Sequence, residues 1–238
     1  MRLADYEDLV FSPLAMPPPP DVDTARLIEW MTWARAEGHK RGLNVPERGY
    51  EAATGRPYPW LMANVFYPRP SHVEESFERE FPDLLRYAHS FPLKDLKLVV
   101  LLAQRGDIDV HLHTDSDGHW GFRFYLANKR QDALYFHMAR ERAGALPPSA
   151  SDWATLVELD TRHYARWPEG NRPYCLNSIR AAHAVEANTC RLGERIACLV
   201  IPRDGPDETR LLRLLEESSA AFGSYQIWYG QGARTRLC

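Results

Sequence analysis

Short apolar and alternating runs follow one another along the chain from residue 96 onward. Turn residues separate them, as at 105–107 (Arg-Gly-Asp) and 116–118 (Ser-Asp-Gly). Many short strands at this spacing are typical of a β-barrel or a β-sandwich. The strands that the pattern predicts cover residues 97–103, 108–113, 122–127, 133–138, 155–159, 180–186 and 195–201.

Helical spacing of apolar residues appears on both sides of this β-rich stretch. One helix is predicted after Asp21 or Asp23, either of which can cap it, another after Ser71, and a third after Pro206. Four consecutive prolines near the start indicate an extended segment. The pattern therefore predicts a mainly β protein with flanking helices. As one domain overall, it divides into a proline-rich tail (1–20), a helical flank (21–95), a β core (96–202), and a closing helix and strand (203–238).

Composition and charge narrow the possible partners. The 238 residues are 45% hydrophobic and 26% charged, which is ordinary for a globular protein. A net charge of −3 argues against nucleic acid as the main partner. No apolar run reaches the roughly 18 residues of a membrane span, and acids stand where a signal peptide needs an apolar core. We expect a cytoplasmic protein without a membrane partner; its oligomeric state is not predicted.

Four cysteines are present, at positions 175, 190, 198 and 238. No two of them form a CxxC pair, and their spacing suits neither a zinc site nor a disulfide framework. We expect free thiols.

The candidate chemistry begins with residues 111–115, which read His-Leu-His-Thr-Asp. On a strand, His113 and Asp115 share a face about 7 Å apart along the backbone, so both can reach one metal. His183, on a distant predicted strand, would complete a face of two histidines and one carboxylate. That set leaves open metal positions and is diagnostic of non-haem Fe(II) oxygenases. Each histidine could instead be an ordinary core or surface residue.

An arginine follows the candidate metal ligands in the sequence. Arg195 opens an apolar run, where a charge is unfavourable unless it is paired. A guanidinium can bind a carboxylate through two parallel hydrogen bonds. The cosubstrate 2-oxoglutarate would bind Fe(II) at one end and need such a cation at its far carboxylate. A surface position on an edge strand is the structural alternative for Arg195.

Three motifs stand in the order of a known family. They are His113-Thr-Asp115, Arg123-Phe-Tyr-Leu-Ala-Asn128 and His183-Ala-Val-Glu-Ala-Asn188, the last followed by Arg195. Together they resemble the aspartyl/asparaginyl β-hydroxylase family, which includes bacterial proline and other amino-acid hydroxylases. The resemblance covers about residues 96–202. It implies a double-stranded β-helix, which is a jelly-roll, cupin-like barrel, using Fe(II), 2-oxoglutarate and O2.

The resemblance also implies individual roles. His113, Asp115 and His183 would be iron ligands, Arg195 would bind the far carboxylate of 2-oxoglutarate, and Arg123 would contact its iron-bound end. The interval from His183 to Arg195 is slightly longer than is usual in the family, so Arg191 is a second candidate for the role of Arg195. The animal aspartyl hydroxylases lack the carboxylate ligand, whereas this chain has Asp115. That difference places the chain nearer the bacterial amino-acid hydroxylases and argues against halogenation.

The implied reaction is hydroxylation of an unactivated C–H bond in an amino acid, or in an amino-acid-derived or peptidyl substrate, with succinate and CO2 as co-products. Candidates for the substrate pocket surround the metal motif or precede the third ligand. They are His111, His119, Trp120, Arg166 and Trp167. Each could equally be a core, rim or loop residue.

Two other interpretations remain open at this point. A cupin-type metal protein would use His111, His113 and His183, and would act as an isomerase, a dioxygenase independent of 2-oxoglutarate, or a binding module. A metal-free barrel could also serve as an interaction module.

Overall fold

Two antiparallel sheets form the centre of the molecule. A computed structural model describes residues 2–40, 55, 58–67, 71–105, 110–113, 120–128, 134–137, 163–177, 182–185 and 191–229; for His39, residues 110–113, His137 and Ala182 it describes the backbone alone. Within these residues, the larger sheet has seven strands and the smaller has four. This confirms a mainly β fold.

Eight strands, β3 to β10, build a barrel between the two sheets. Their bounds are β3 Leu96–Gln104, β4 Val110–His113, β5 Gly121–Asn128, β6 Leu134–His137, β7 His163–Tyr164, β8 Tyr174–Leu176, β9 Ala182–Val185 and β10 Arg195–Pro202. The larger sheet contains the order β8-β5-β10-β3, and the smaller sheet has β7-β6-β9-β4. Strands that follow one another in the chain form four pairs, which are β3 with β4, β5 with β6, β7 with β8, and β9 with β10. The two members of each pair occupy the same position in opposite sheets. This is the order of a jelly roll, so the predicted double-stranded β-helix is confirmed.

Three further strands widen the larger sheet. β2, Trp60–Phe66, pairs with β3, while β1, Leu9–Pro13, pairs with β8 on one side and with β11, Ile227–Trp228, on the other. Every residue of β1 is buried. The prediction of a lead-in tail over residues 1–20 is therefore wrong for this segment, because residues 9–13 form a buried strand of the larger sheet.

Four helices flank the sheets: α1 Thr24–Lys40, α2 His72–Glu80, α3 Pro82–Ser90 and α4 Glu208–Phe222. The Asp23 carboxylate accepts hydrogen bonds from the first-turn N–H groups of Ala25 and Arg26 at 3.0 and 3.1 Å. Asp207 caps α4 by accepting from the backbone N–H of Arg210. These are the capping aspartates expected at helix starts. No helix in the described ranges has the length and apolarity to cross a membrane.

The larger sheet has two distinct buried faces. The outer face packs against the helices and contains Phe122, Phe124 and Cys198. The inner face contains Tyr125 and Tyr174 and packs against Phe136 of the smaller sheet. Because successive side chains alternate between faces, Arg123 and Arg195 fall on the inner one. Both arginines are thereby placed in the barrel.

Two barrel strands had no sequence signal strong enough to predict them. β7 has two residues and β8 has three, which is too short for an alternating pattern to show. The strand predicted over residues 155–159 lies outside the described residues, as do the outer ends of those predicted over 108–113, 133–138 and 180–186.

Candidate functional site

The backbone places two of the predicted metal ligands opposite each other. In the antiparallel pairing of β4 with β9, His113 is the direct partner of His183. The pairing is irregular between Val110 and His113, the segment that contains His111. Asp115 lies outside the described residues, and the described side chains contain no cluster of three His, Cys, Asp or Glu residues.

His183 lies inside the barrel. It is 3% exposed, its strand β9 is flanked by β4 and β6, and its partner on β6 is Phe136. The two rings have centroids 6.4 Å apart. An imidazole held in this way has little freedom to turn, which suits a fixed metal ligand.

Arg123 approaches His183 from the opposite sheet. Its Nη1 lies 3.3 Å from Nε2 of His183, and its side chain is 7% exposed. Arg123 is paired in register with Tyr174 on β8 and Leu199 on β10. Burial lowers the pKa of its guanidinium, while Tyr174 and Tyr125 oppose that shift. A cation is thus held beside the buried histidine.

Arg195 is the second buried arginine, and a tight turn leads into it. The backbone N–H of Arg191 donates to the Glu194 carboxylate at 2.8 Å, and Gly193 has a φ of 95°, which favours glycine. The Arg195 side chain then enters the barrel with 1% exposure. Arg191 is exposed, so of the two candidates only Arg195 points inward.

The partners of the Arg195 guanidinium are neutral. Nη2 donates to the Tyr125 hydroxyl at 2.7 Å, and Nη1 donates to Oε1 of Gln104 at 3.3 Å. The guanidinium carbon lies 5.2 Å from the centroid of the Tyr125 ring. No Asp or Glu among the described residues forms an ion pair with Arg195, and its Nε has no hydrogen-bond partner there. A buried cation surrounded in this way favours an anionic ligand.

Aromatic side chains fill the barrel next to the two arginines. The Tyr125 and Tyr174 rings stack with centroids 5.7 Å apart, and Trp167 meets Tyr174 edge-on at 4.9 Å. Phe11 of β1 meets Trp167 edge-on at 5.2 Å. Burial, followed by Tyr125, raises the pKa of Tyr174 well above its usual value. The Tyr174 hydroxyl therefore stays protonated, and both rings offer apolar surface.

The predicted substrate-pocket residues lie in different parts of the structure. Trp167 packs into the barrel interior, whereas the Arg166 side chain is exposed. Trp120 packs against the outer cluster instead, because it shares the alternation of Phe122 and Phe124 toward the helices. Its expected place in the pocket is thus corrected. His119 and the side chain of His111 lie outside what the structure describes.

Sequence reasoning missed the neutral partners of the arginines. Tyr125 stands two residues after Arg123 on β5, so strand alternation alone could have placed it on the inner face. Gln104 directly follows the strand predicted over residues 97–103 and is the last residue of the observed β3. Phe11 had no such signal, since its place depends on pairing between residues far apart in sequence.

No protein-family model matches the chain, and no curated protein matches it. Similar solved structures include a prolyl hydroxylase from Trichoplax adhaerens in complex with a hypoxia-inducible-factor peptide fragment. Its identity is 12% and its TM-score 0.44, covering 89% of this chain and 90% of that one.

Two further solved structures have similarly low identities and TM-scores. A prolyl-4-hydroxylase from Pseudomonas putida has 10% identity and a TM-score of 0.39, covering 84% of this chain and 97% of that chain. The non-haem α-ketoglutarate-dependent carbocyclase SnoK of nogalamycin biosynthesis has 15% identity and a TM-score of 0.39, with 89% of each chain covered. All three TM-scores are below 0.5, so the fold assignment rests on the strand order of this chain.

Proposed function

We propose that the protein is an Fe(II)- and 2-oxoglutarate-dependent oxygenase. The observation that carries the proposal is the buried Arg195, which enters a jelly-roll barrel with neutral partners and without an ion pair to any described acid. A free-standing cation of this kind suits the carboxylate of a small anionic cosubstrate. The register of His113 against His183 supports a metal site in the same barrel.

The donor set fits Fe(II). His113, Asp115 and His183 would hold the ion, and two histidines with one carboxylate are the usual set for a non-haem iron that keeps open positions. Bound iron would supply O2 activation coupled to oxidation of 2-oxoglutarate, with succinate and CO2 as co-products. The irregular pairing before His113 gives no support to the cupin alternative, which needs His111 as a ligand.

The protein's own residues would bind and orient the cosubstrate. Arg195 would take the far carboxylate of 2-oxoglutarate through its guanidinium fork. Tyr125, which accepts from Arg195 Nη2, would hold that fork in one orientation. Arg123 would contact the end of the cosubstrate nearest His183. The stacked aromatic side chains would exclude water, which strengthens each of these polar contacts.

The substrate class follows from the resemblance of residues 96–202 to amino-acid hydroxylases. We propose hydroxylation of an unactivated C–H bond in an amino acid or an amino-acid-derived or peptidyl substrate. Trp167, half-buried at the end of the aromatic cluster, is the described candidate residue best placed to contact it.

The test is succinate formation from 2-oxoglutarate in the presence of Fe(II) and O2, measured across a panel of amino acids and short peptides. We expect one group of compounds to stimulate succinate release. His183→Ala should abolish that release, because a metal ligand is lost. His89→Ala, which changes an exposed histidine on α3, should leave it unchanged. Iron-independent release, or equal release from both variants, would refute the proposal.

A further inference from the structure

The contact between Arg123 and His183 has a consequence for metal binding. A guanidinium has N–H donors and no acceptor. At 3.3 Å, Arg123 Nη1 therefore donates to Nε2 of His183, and Nε2 must carry the lone pair. The remaining ring proton of a neutral imidazole is then on Nδ1. The contact thus selects one tautomer of the candidate ligand.

A metal ion cannot bind His183 and leave this contact intact. Coordination through Nε2 uses the lone pair that accepts from Arg123. Coordination through Nδ1 moves the ring proton to Nε2, where it would face the N–H groups of Arg123. Either way, one hydrogen bond to a charged donor is lost. The loss of such a bond weakens the binding of the metal roughly tenfold to hundredfold.

The charge of Arg123 adds to this opposition. The guanidinium is buried, with 7% exposure, and lies on the inner face of the barrel. Repulsion between a guanidinium and a divalent cation is much stronger in such a place than in water. A carboxylate between the two cations removes the repulsion and supplies acceptors for the released N–H groups. The iron-bound end of 2-oxoglutarate has such a carboxylate.

We infer that Arg123 is a positioning residue that couples metal binding to 2-oxoglutarate binding, by occupying His183 until the cosubstrate arrives. This inference rests on the proposed function. It predicts that the metal alone binds weakly and that 2-oxoglutarate strengthens its binding beyond what chelation alone provides. By linkage, the metal must strengthen 2-oxoglutarate binding by the same factor.

The experiment measures the dissociation constant of Mn²⁺, from the electron paramagnetic resonance signal of the free ion, with and without 2-oxoglutarate. Arg123→Met removes the donor and the charge while keeping an unbranched side chain. We expect this variant to bind Mn²⁺ alone roughly tenfold or more tightly than the unchanged protein. Its gain in affinity on adding 2-oxoglutarate should shrink by at least that factor.

Two comparison variants separate this role from a general loss of structure. Arg172→Met changes a half-buried arginine that donates to the Met16 carbonyl, and should leave both Mn²⁺ constants unchanged. Arg123→Lys retains the charge and should keep metal-alone binding weak. If Arg123→Met binds Mn²⁺ alone no more tightly than the unchanged protein, the inference is wrong while the proposed function stands. Absence of Mn²⁺ binding by the unchanged protein in both conditions would overturn the proposed function, and the inference with it.

A second measurement does not depend on any variant folding. Nitrogen-15 shifts of the His183 ring in the metal-free protein should show a protonated Nδ1 and an unprotonated Nε2. A protonated Nε2 would overturn the inference, because Arg123 could not then donate to it.

Discussion

Arg195 links the sequence to the proposed chemistry at the scale of a single residue. It stands at the head of an apolar run, which makes it unusual in the sequence, and it is 1% exposed in the fold. Its described hydrogen-bond partners are the neutral side chains of Tyr125 and Gln104. Burying a charge without a counter-charge is energetically unfavourable. The proposed binding of an anionic cosubstrate therefore gives a reason for an arginine at this position.

Replacing Arg195 with methionine should weaken 2-oxoglutarate binding and spare metal binding. Loss of the charged hydrogen bonds should raise the dissociation constant of 2-oxoglutarate roughly tenfold to hundredfold. Calorimetric titration of the Mn²⁺-loaded protein gives this constant. Arg191→Met removes an exposed arginine of the preceding turn and should have no effect. Equal weakening in both variants would contradict the assigned role.

Tyr125 should matter for stability as well as for binding. Tyr125→Phe deletes the hydroxyl that accepts from Arg195 Nη2 and leaves a buried cationic donor without that acceptor. We expect the free energy of unfolding in urea to fall by about 1–3 kcal/mol. Tyr164→Phe, at a tyrosine that is 41% exposed, should change it by less than about 0.5 kcal/mol. Equal effects of the two substitutions would contradict a stabilising role for the Tyr125 hydroxyl.

At the scale of elements, pattern length decided what the sequence could predict. The strands β3, β5 and β10 have eight or nine residues, and their apolar runs were visible. The helix after Asp23 was equally clear from its cap and spacing. β1 was missed because Leu9, Val10 and Phe11 form an apolar run of only three residues, which Ser12 and Pro13 interrupt. Its burial depends on pairing with β8, and no local signal encodes such a pairing.

Phe11→Ala tests whether β1 is structural or a tail. Phe11 is fully buried and its ring lies 5.2–5.7 Å from those of Trp167, Tyr174 and Phe136. Its removal should lower the free energy of unfolding by about 3–5 kcal/mol. Phe66→Ala, at the half-buried end of β2, should have a smaller effect because its surroundings are partly solvent. If urea unfolding shows a larger loss of stability for Phe66→Ala than for Phe11→Ala, the description of residues 1–20 as a tail would be favoured.

The thiols in β8 and β10 predict how stability varies with pH. Burial raises the pKa of Cys175 to about 12 from an ordinary value of 9.0, and burial also raises the pKa of Cys198. Between pH 9 and pH 12, Cys175 ionises in the unfolded chain and stays protonated in the folded one. The free energy of unfolding should therefore fall as the pH rises through that window. Cys175→Ala should make this decline shallower, as measured by urea unfolding at each pH. An unchanged slope would show that Cys175 is not the source.

At the scale of the whole molecule, the jelly-roll order brings distant segments to one site. The chain order of the motifs, with a resemblance covering residues 96–202, was sufficient to predict the barrel and the identity of its inward arginines. The arrangement inside was not predictable from motifs. Which neutral groups surround Arg195, and that Arg123 reaches His183, depend on the packing of β5 against β9, β10 and β3.

The most direct measurement is the visible absorption spectrum of the protein after anaerobic addition of Fe(II) and then 2-oxoglutarate. We expect a charge-transfer band when the cosubstrate chelates iron in the barrel, and the same addition to His183→Ala should give none. A protein that shows no band, or a His183→Ala variant whose band is undiminished, would contradict the central claim that this barrel is an Fe(II)- and 2-oxoglutarate-dependent oxygenase.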